Sequence, residues 1–220
     1  MMKIIYVMDP YDGWCYAGSE NILRLYMRYR SLVEFEVLPA GMLTGELCCN
    51  HHPDNATAAL RSLRAIEKET KTPFGEKHKE ALRNKEFLMD SEIPSRAIMT
   101  VRQLAPEQTL PFVHALLHAR FNHGMDLNDT STYLELCEIL DIDKQAFFQI
   151  FHTDEIKELT QRGFRVADEL AETYPTLLYV DDDMTLKLAE GFTPFDILDL
   201  RLDRILKGEA TGLDDLQEDD

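Results

Sequence analysis

The hydrophobic period changes twice along this 220-residue chain, and that change constrains the fold more than any single motif. Lys3 to Met8 (KIIYVM) is a short apolar run stopped by Asp9-Pro10, the pattern of a buried strand. Trp14 to Arg30 has Ile22, Leu23 and Tyr26 at helical spacing, and Val33 to Leu38 (VEFEVL) alternates strictly before Pro39. From about Asp54 the period becomes 3.6 and stays so. Helices are expected near 54–71, 73–84, 94–105, 107–122, 130–140, 143–151 and 153–172. Asp54, Thr72-Pro73, Asp129 and Asp143 mark starts, because aspartate side chains accept from open N–H groups and proline tolerates the first turn. In the 107–122 helix Val113, Leu116, Leu117 and Phe121 share a face.

The period then returns to 2. Pro175 to Val180 and Met184 to Ala189 read as strands joined at Asp181-Asp182-Asp183, and Thr193-Pro194 opens a last helix to about Leu206. With the helical block removed, the order strand-helix-strand-strand-strand-helix remains. That is the thioredoxin-like α/β plan carrying a helical insertion. The expected division is a discontinuous thioredoxin-like domain over 1–53 and 153–207, an insertion over 54–152, and an acidic, aromatic-free disordered tail over 208–220.

The net charge of −17 argues against nucleic acid and anionic membranes as partners. The early apolar run Ile4 to Met8 is too short for a signal-peptide core or a membrane span, so the sequence reading places the chain in the cytoplasm. In a reducing compartment Cys15, Cys48, Cys49 and Cys137 are read as thiols rather than structural bridges.

The chemistry-bearing stretch is Asp12-Gly13-Trp14-Cys15. It has the spacing of a C-x-x-C redox motif with aspartate in the first position. DPYDGWCYAGSENI resembles the active-site segment of the DsbA-like thioredoxin superfamily, in its FrnE-like or 2-hydroxychromene-2-carboxylate isomerase-like branch, where D-P-x-C-x-W-C-Y-G often stands. LPAGML, DSEIPSRA, TYPTLLYV and GFTPFDIL resemble later family segments in the same order, so the resemblance spans about residues 3–207. It implies a thioredoxin fold with a helical insertion and thiol–disulfide oxidoreductase or disulfide isomerase chemistry. It places the attacking cysteine at Asp12, the resolving cysteine at Cys15, and a cis-proline at Pro175 preceded by Tyr174.

Aspartate cannot form a mixed disulfide, so the motif is degenerate and the expected activity is weak, monothiol through Cys15, or glutathione-linked. Asp12 reads as a helix N-cap first and as a carboxylate that handles a ligand thiol second. Trp14, Tyr174 and Pro175 are the candidate substrate-binding surface, with Arg96 as the residue to meet an anion. The candidate substrate is a thiol or disulfide, glutathione or a peptide, with no tightly bound cofactor, and homodimerisation is left open. Two alternatives stay beside the oxidoreductase: a glutathione-dependent isomerase or transferase of the kappa-class type, and a thioredoxin-like cleft that holds peptides without chemistry. Cys48-Cys49-Asn50-His51-His52 and the His114/His118 pair carry metal-ligating atoms, but their spacing favours a surface loop and an ordinary helix face, so no metal is expected.

Overall fold

A computed structural model of the chain describes residues 2–50, 53–84 and 87–209. Its main sheet has the order β2-β1-β5-β6. Strand β1 (Lys3–Met8) sits in the interior, parallel to β2 (Glu34–Pro39) and antiparallel to β5 (Thr176–Val180). Strand β6 (Thr185–Glu190) pairs with β5 as a hairpin. Asp181 closes it, its Oδ1 accepting the N–H groups of Asp183 and Met184 and its Oδ2 the Tyr179 hydroxyl.

Alternation along β1 sends side chains to both faces, and helices cover both. Ile4, Tyr6 and Met8 face a core shared with α1 (Gly13–Tyr29) and α9 (Phe195–Leu206). Ile5 and Val7 face the other side, where Ala167 and Ala171 of α8 (Asp154–Leu170) and its C-terminal edge close over Leu38 and Ala40. Between the sheet's halves run α2 (Pro53–Thr70), α3 (Glu76–Ala81), α4 (Glu92–Leu104), α5 (Thr109–Phe121), α6 (Thr130–Ile139) and α7 (Lys144–Phe151). A two-stranded ribbon joins β3 (Cys49–Asn50) to β4 (Leu88–Met89). Helix α5 lies along α1 and buries Val113, Leu116, Leu117 and Phe121, the face read from the sequence. Phe112, Tyr133, Phe147 and Phe151 form an aromatic core, with Phe147 and Phe151 stacked at 5.5 Å.

The caps at Asp129 and Asp143 form as expected, each accepting first-turn N–H groups. The helix expected over 73–84 is shorter than its pattern. Residues 72–75 run as an extended strap: the Tyr16 hydroxyl donates to the Pro73 carbonyl at 3.1 Å, and the Gly75 N–H donates to the Phe121 carbonyl at 3.0 Å. Only glycine fits at 75, since a Cβ there would lie 1.8 Å from the Asn122 carbonyl oxygen. The 107–122 helix starts at Thr109, after a 3-10 turn over Pro106–Gln108. The two-residue β3–β4 pairing is non-local and leaves no periodic trace in the sequence. No described helix is long and apolar enough to cross a membrane. From residue 210 onward the acidic tail lies outside the described residues, as do His51 and His52.

Candidate functional site

The turn between β1 and α1 is built by Asp9, which the sequence reading treated only as the end of a strand. Its carboxylate is fully buried. One oxygen accepts the Tyr11 N–H at 2.9 Å and the Ser91 hydroxyl at 3.0 Å; the other accepts the Met42 N–H at 2.9 Å. The Asp9 carbonyl accepts the Asp12 N–H at 3.1 Å. One side chain thus ties together the first turn, the loop after β2 and the start of α4. Burial pushes the Asp9 carboxyl up to about 7, against the three hydrogen bonds that favour its ionised form.

Asp12 is the N-cap of α1. Its backbone is extended, and its Oδ1 accepts the Cys15 N–H at 2.7 Å. Partial burial raises its carboxyl above the usual range, while the backbone and thiol of Cys15 and the Trp14 N–H pull it back. Cys15 has 0% exposure. Burial, and then the Asp12 carboxylate, hold its thiol well above the ordinary range, with the Tyr6 hydroxyl beside the sulfur. The monothiol role expected for Cys15 therefore meets a geometric obstacle. The first turn covers the sulfur, and a carboxylate stands where a redox site needs a positive field.

The Tyr174–Pro175 peptide bond is cis, and Pro175 is buried opposite α1, its ring 3.8 Å from where a Cβ of Gly18 would sit. Tyr174 is half-buried; burial raises its hydroxyl, and the charges of Asp168, Asp9, Cys15 and Asp12 raise it further. Trp14 lies half-exposed on the other side, in the wall of a cavity of about 250 Å³ between the turn and α2, α3 and α5.

Arg96 does not take the place expected for it. Its guanidinium pairs with Glu92 at 2.9 Å and lies 4.6 Å over the Phe151 ring, so an internal carboxylate neutralises it. The rings of His114 and His118 lie tilted at 4.5 Å between centres, with His114 Nδ1 3.2 Å from the Ser19 hydroxyl; burial lowers both. Cys48 Sγ lies 3.2 Å from the Met89 carbonyl, and Cys137 is core, its thiol raised to about 11 by burial. Among the described residues no group of three or more histidine, cysteine or carboxylate side chains is placed to hold a metal ion. Sequence reasoning missed Asp9, Ser91, Tyr11 and Arg120. Arg120 alone left a signal, a charged residue one turn past Leu116 on an apolar face.

The cis-Pro175 loop packs on α1 at Gly18, beyond the Asp12 cap, and comparison with solved structures finds the same fold elsewhere. A protein from Nitrosomonas europaea, provisionally described as a protein disulfide isomerase, superposes with TM-score 0.82 and 24% identity over 95% of this chain and 99% of its own. The cytosolic disulfide reductase DsbM from Pseudomonas aeruginosa gives 0.78 and 20% over 93% and 98%, and its structure with GSH gives 0.75. A 2-hydroxychromene-2-carboxylate isomerase gives 0.64 and 14% over 95% and 100%. The chain has the DsbA-like thioredoxin fold. No family model matches the sequence, and no curated protein matches it. At these identities the DsbA-like scaffold is what is shared. The first-turn chemistry of this chain has to be read from its own residues.

Proposed function

We propose that this DsbA-like chain binds a thiol ligand of the glutathione type in the cleft between Asp12 and cis-Pro175, and acts on it without dithiol exchange. The observation that carries this reading is the pairing of a capping Asp12 with a Cys15 of 0% exposure. A dithiol cycle needs an exposed thiolate to attack and a second thiol to resolve. Here the first position has no sulfur and the second is enclosed with its proton held on.

The arrangement suits a thiol supplied by the ligand. Asp12, raised by burial, is a better proton acceptor than an exposed aspartate. When its carboxylate takes the ligand's S–H proton, the aspartic acid becomes neutral and a single negative charge remains, on the ligand sulfur. That charge then sits at the N-terminus of α1, where the helix dipole favours it. The backbone of Tyr174 lies just beyond the β1–β5 ladder, and in this reading an extended peptide-like ligand pairs with it. The likeness to DsbM solved with GSH and to a 2-hydroxychromene-2-carboxylate isomerase supports this reading at the level of the scaffold.

The test is calorimetric titration of glutathione into the wild type, Cys15→Ser and Asp12→Ala, beside insulin-disulfide reduction. Wild type and Cys15→Ser should bind glutathione alike, Asp12→Ala should bind it more weakly, and insulin reduction should be absent. Insulin reduction by the wild type that Cys15→Ser abolishes would overturn the reading in favour of a working monothiol.

A further inference from the structure

A second hollow, of about 560 Å³, lies where α3, α5 and α6 meet at the loop over 122–129. It shares no residue with the cavity beside Trp14. Ala115, Ala119, Met125 and Leu136 give it an apolar lining, and Ile139, the last residue of α6, borders it with 72% exposure. A lone exposed isoleucine is ordinary on a surface. This one stands at a concave space that also gathers basic nitrogens.

Lys77, His118 and His123 line the same hollow. Among the described residues none of the three has a side-chain hydrogen bond or an ion pair. Lys79, two positions on, meets Glu67 and Glu76, each at 3.1 Å. In a chain with 40 acidic residues against 23 lysines and arginines an internal carboxylate is easily found, and these three have not taken one. Glu20 approaches from α1, but it lies against His114, 3.6 Å from Nε2. Burial lowers His118, and the charges of His114 and His123 lower it further against the opposing charge of Glu20. An anion placed among such imidazoles offsets their repulsion and favours their protonated forms. Separate nitrogen donors without a guanidinium fork suit the three terminal oxygens of a phosphate monoester better than the two of a carboxylate. Glu135, the remaining charged residue of the lining, disfavours a second anionic group on the ligand.

We propose that this hollow binds a small organic phosphate monoester with an apolar body. Lys77, His118 and His123 donate to the phosphate oxygens, and the body packs on Met125, Leu136 and Ile139. Binding takes up protons, because it favours the imidazolium forms of His118 and His123. The site goes beyond the glutathione reading, since it uses neither the Asp12 turn nor the Pro175 loop.

The probe is phenyl phosphate, titrated calorimetrically into the full chain at about pH 7, where the ester is mostly a dianion. Phenol, benzoate and inorganic phosphate are titrated beside it, and two buffers of different ionisation enthalpy read the protons taken up. The wild type should bind phenyl phosphate at least about tenfold tighter than each of the other three, the ratio expected for charge-assisted hydrogen bonds joined to apolar contact. The imidazole NMR signals of His118 and His123 should move toward their protonated positions. Lys77→Met and His123→Gln, both at exposed positions, should each weaken binding by about fivefold or more. Glu135→Gln should tighten it. Absence of phenyl phosphate binding overturns the proposal, as does phenol, benzoate or inorganic phosphate binding equally well. Histidine signals that do not move, or an affinity that survives both Lys77→Met and His123→Gln, overturn it too.

Discussion

Replacing Asp9 by asparagine should change not only how stable the protein is but how its stability depends on pH. The native carboxyl is held at about 7, whereas an unfolded aspartate ionises near ~4. Between those values the native state binds more protons than the unfolded state, so stability falls as pH rises. About three pH units at roughly 1.4 kcal/mol each amount to about 4 kcal/mol in all, of which about 3 kcal/mol falls between about pH 5 and about pH 8. The asparagine side chain cannot titrate, so this part of the slope disappears. The substitution has its own cost. One Asp9 oxygen serves Tyr11 and Ser91 and the other serves Met42, so an amide NH₂ must face a donor on one side. That leaves a buried donor unsatisfied, worth about 1–3 kcal/mol. Urea unfolding should therefore find Asp9→Asn less stable than wild type at low pH and equal or more stable at high pH, with the two profiles crossing. His114 and His118, lowered by burial, add stability as pH rises, but they are common to both proteins and cancel in the difference. Parallel profiles for wild type and Asp9→Asn would refute a burial-raised Asp9 and the role given to it in holding the turn.

Iodoacetamide applied to the native protein should leave Cys15 and Cys137 unmodified, since both have 0% exposure, and should reach them after denaturation. Peptide mass mapping reads this directly, and fast native labelling of Cys15 would restore the monothiol mechanism. Gly75→Ala should destabilise by about 3 kcal/mol or more, or prevent folding, because the new Cβ meets backbone of Asn122 at 1.8 Å and 2.6 Å rather than a flexible side chain. A melting temperature equal to wild type would show that the strap over 72–75 can move away from α5.

The resemblance and the element order led to the right fold because they rest on local patterns that tertiary packing did not contradict. Lys3–Met8, the face of α5, and the caps at Asp129 and Asp143 formed where periodicity and capping chemistry put them. Asp12 was legible too, since a capping aspartate before an apolar-periodic run is a local signal. Arg96 shows where such reading stops. A basic residue in a family-like segment carries no mark of whether its counter-ion is a ligand or, as here, a glutamate one turn earlier on its own helix.

By itself the sequence determined the order and type of the main-sheet strands and of most helices, the absence of sulfur at position 12, and a cap in its place, because each depends on neighbours within a turn or two of the chain. The tertiary structure decided what those residues can do. Burial of Cys15 under its own helix is decided by how α1 lies on the sheet. The raised Asp9 carboxyl depends on Ser91, 82 positions away. The cavity beside Trp14 exists only because α2, α3 and α5 meet the first turn of α1. Desolvation and long-range contact set these properties, and neither is encoded in the local period of the chain.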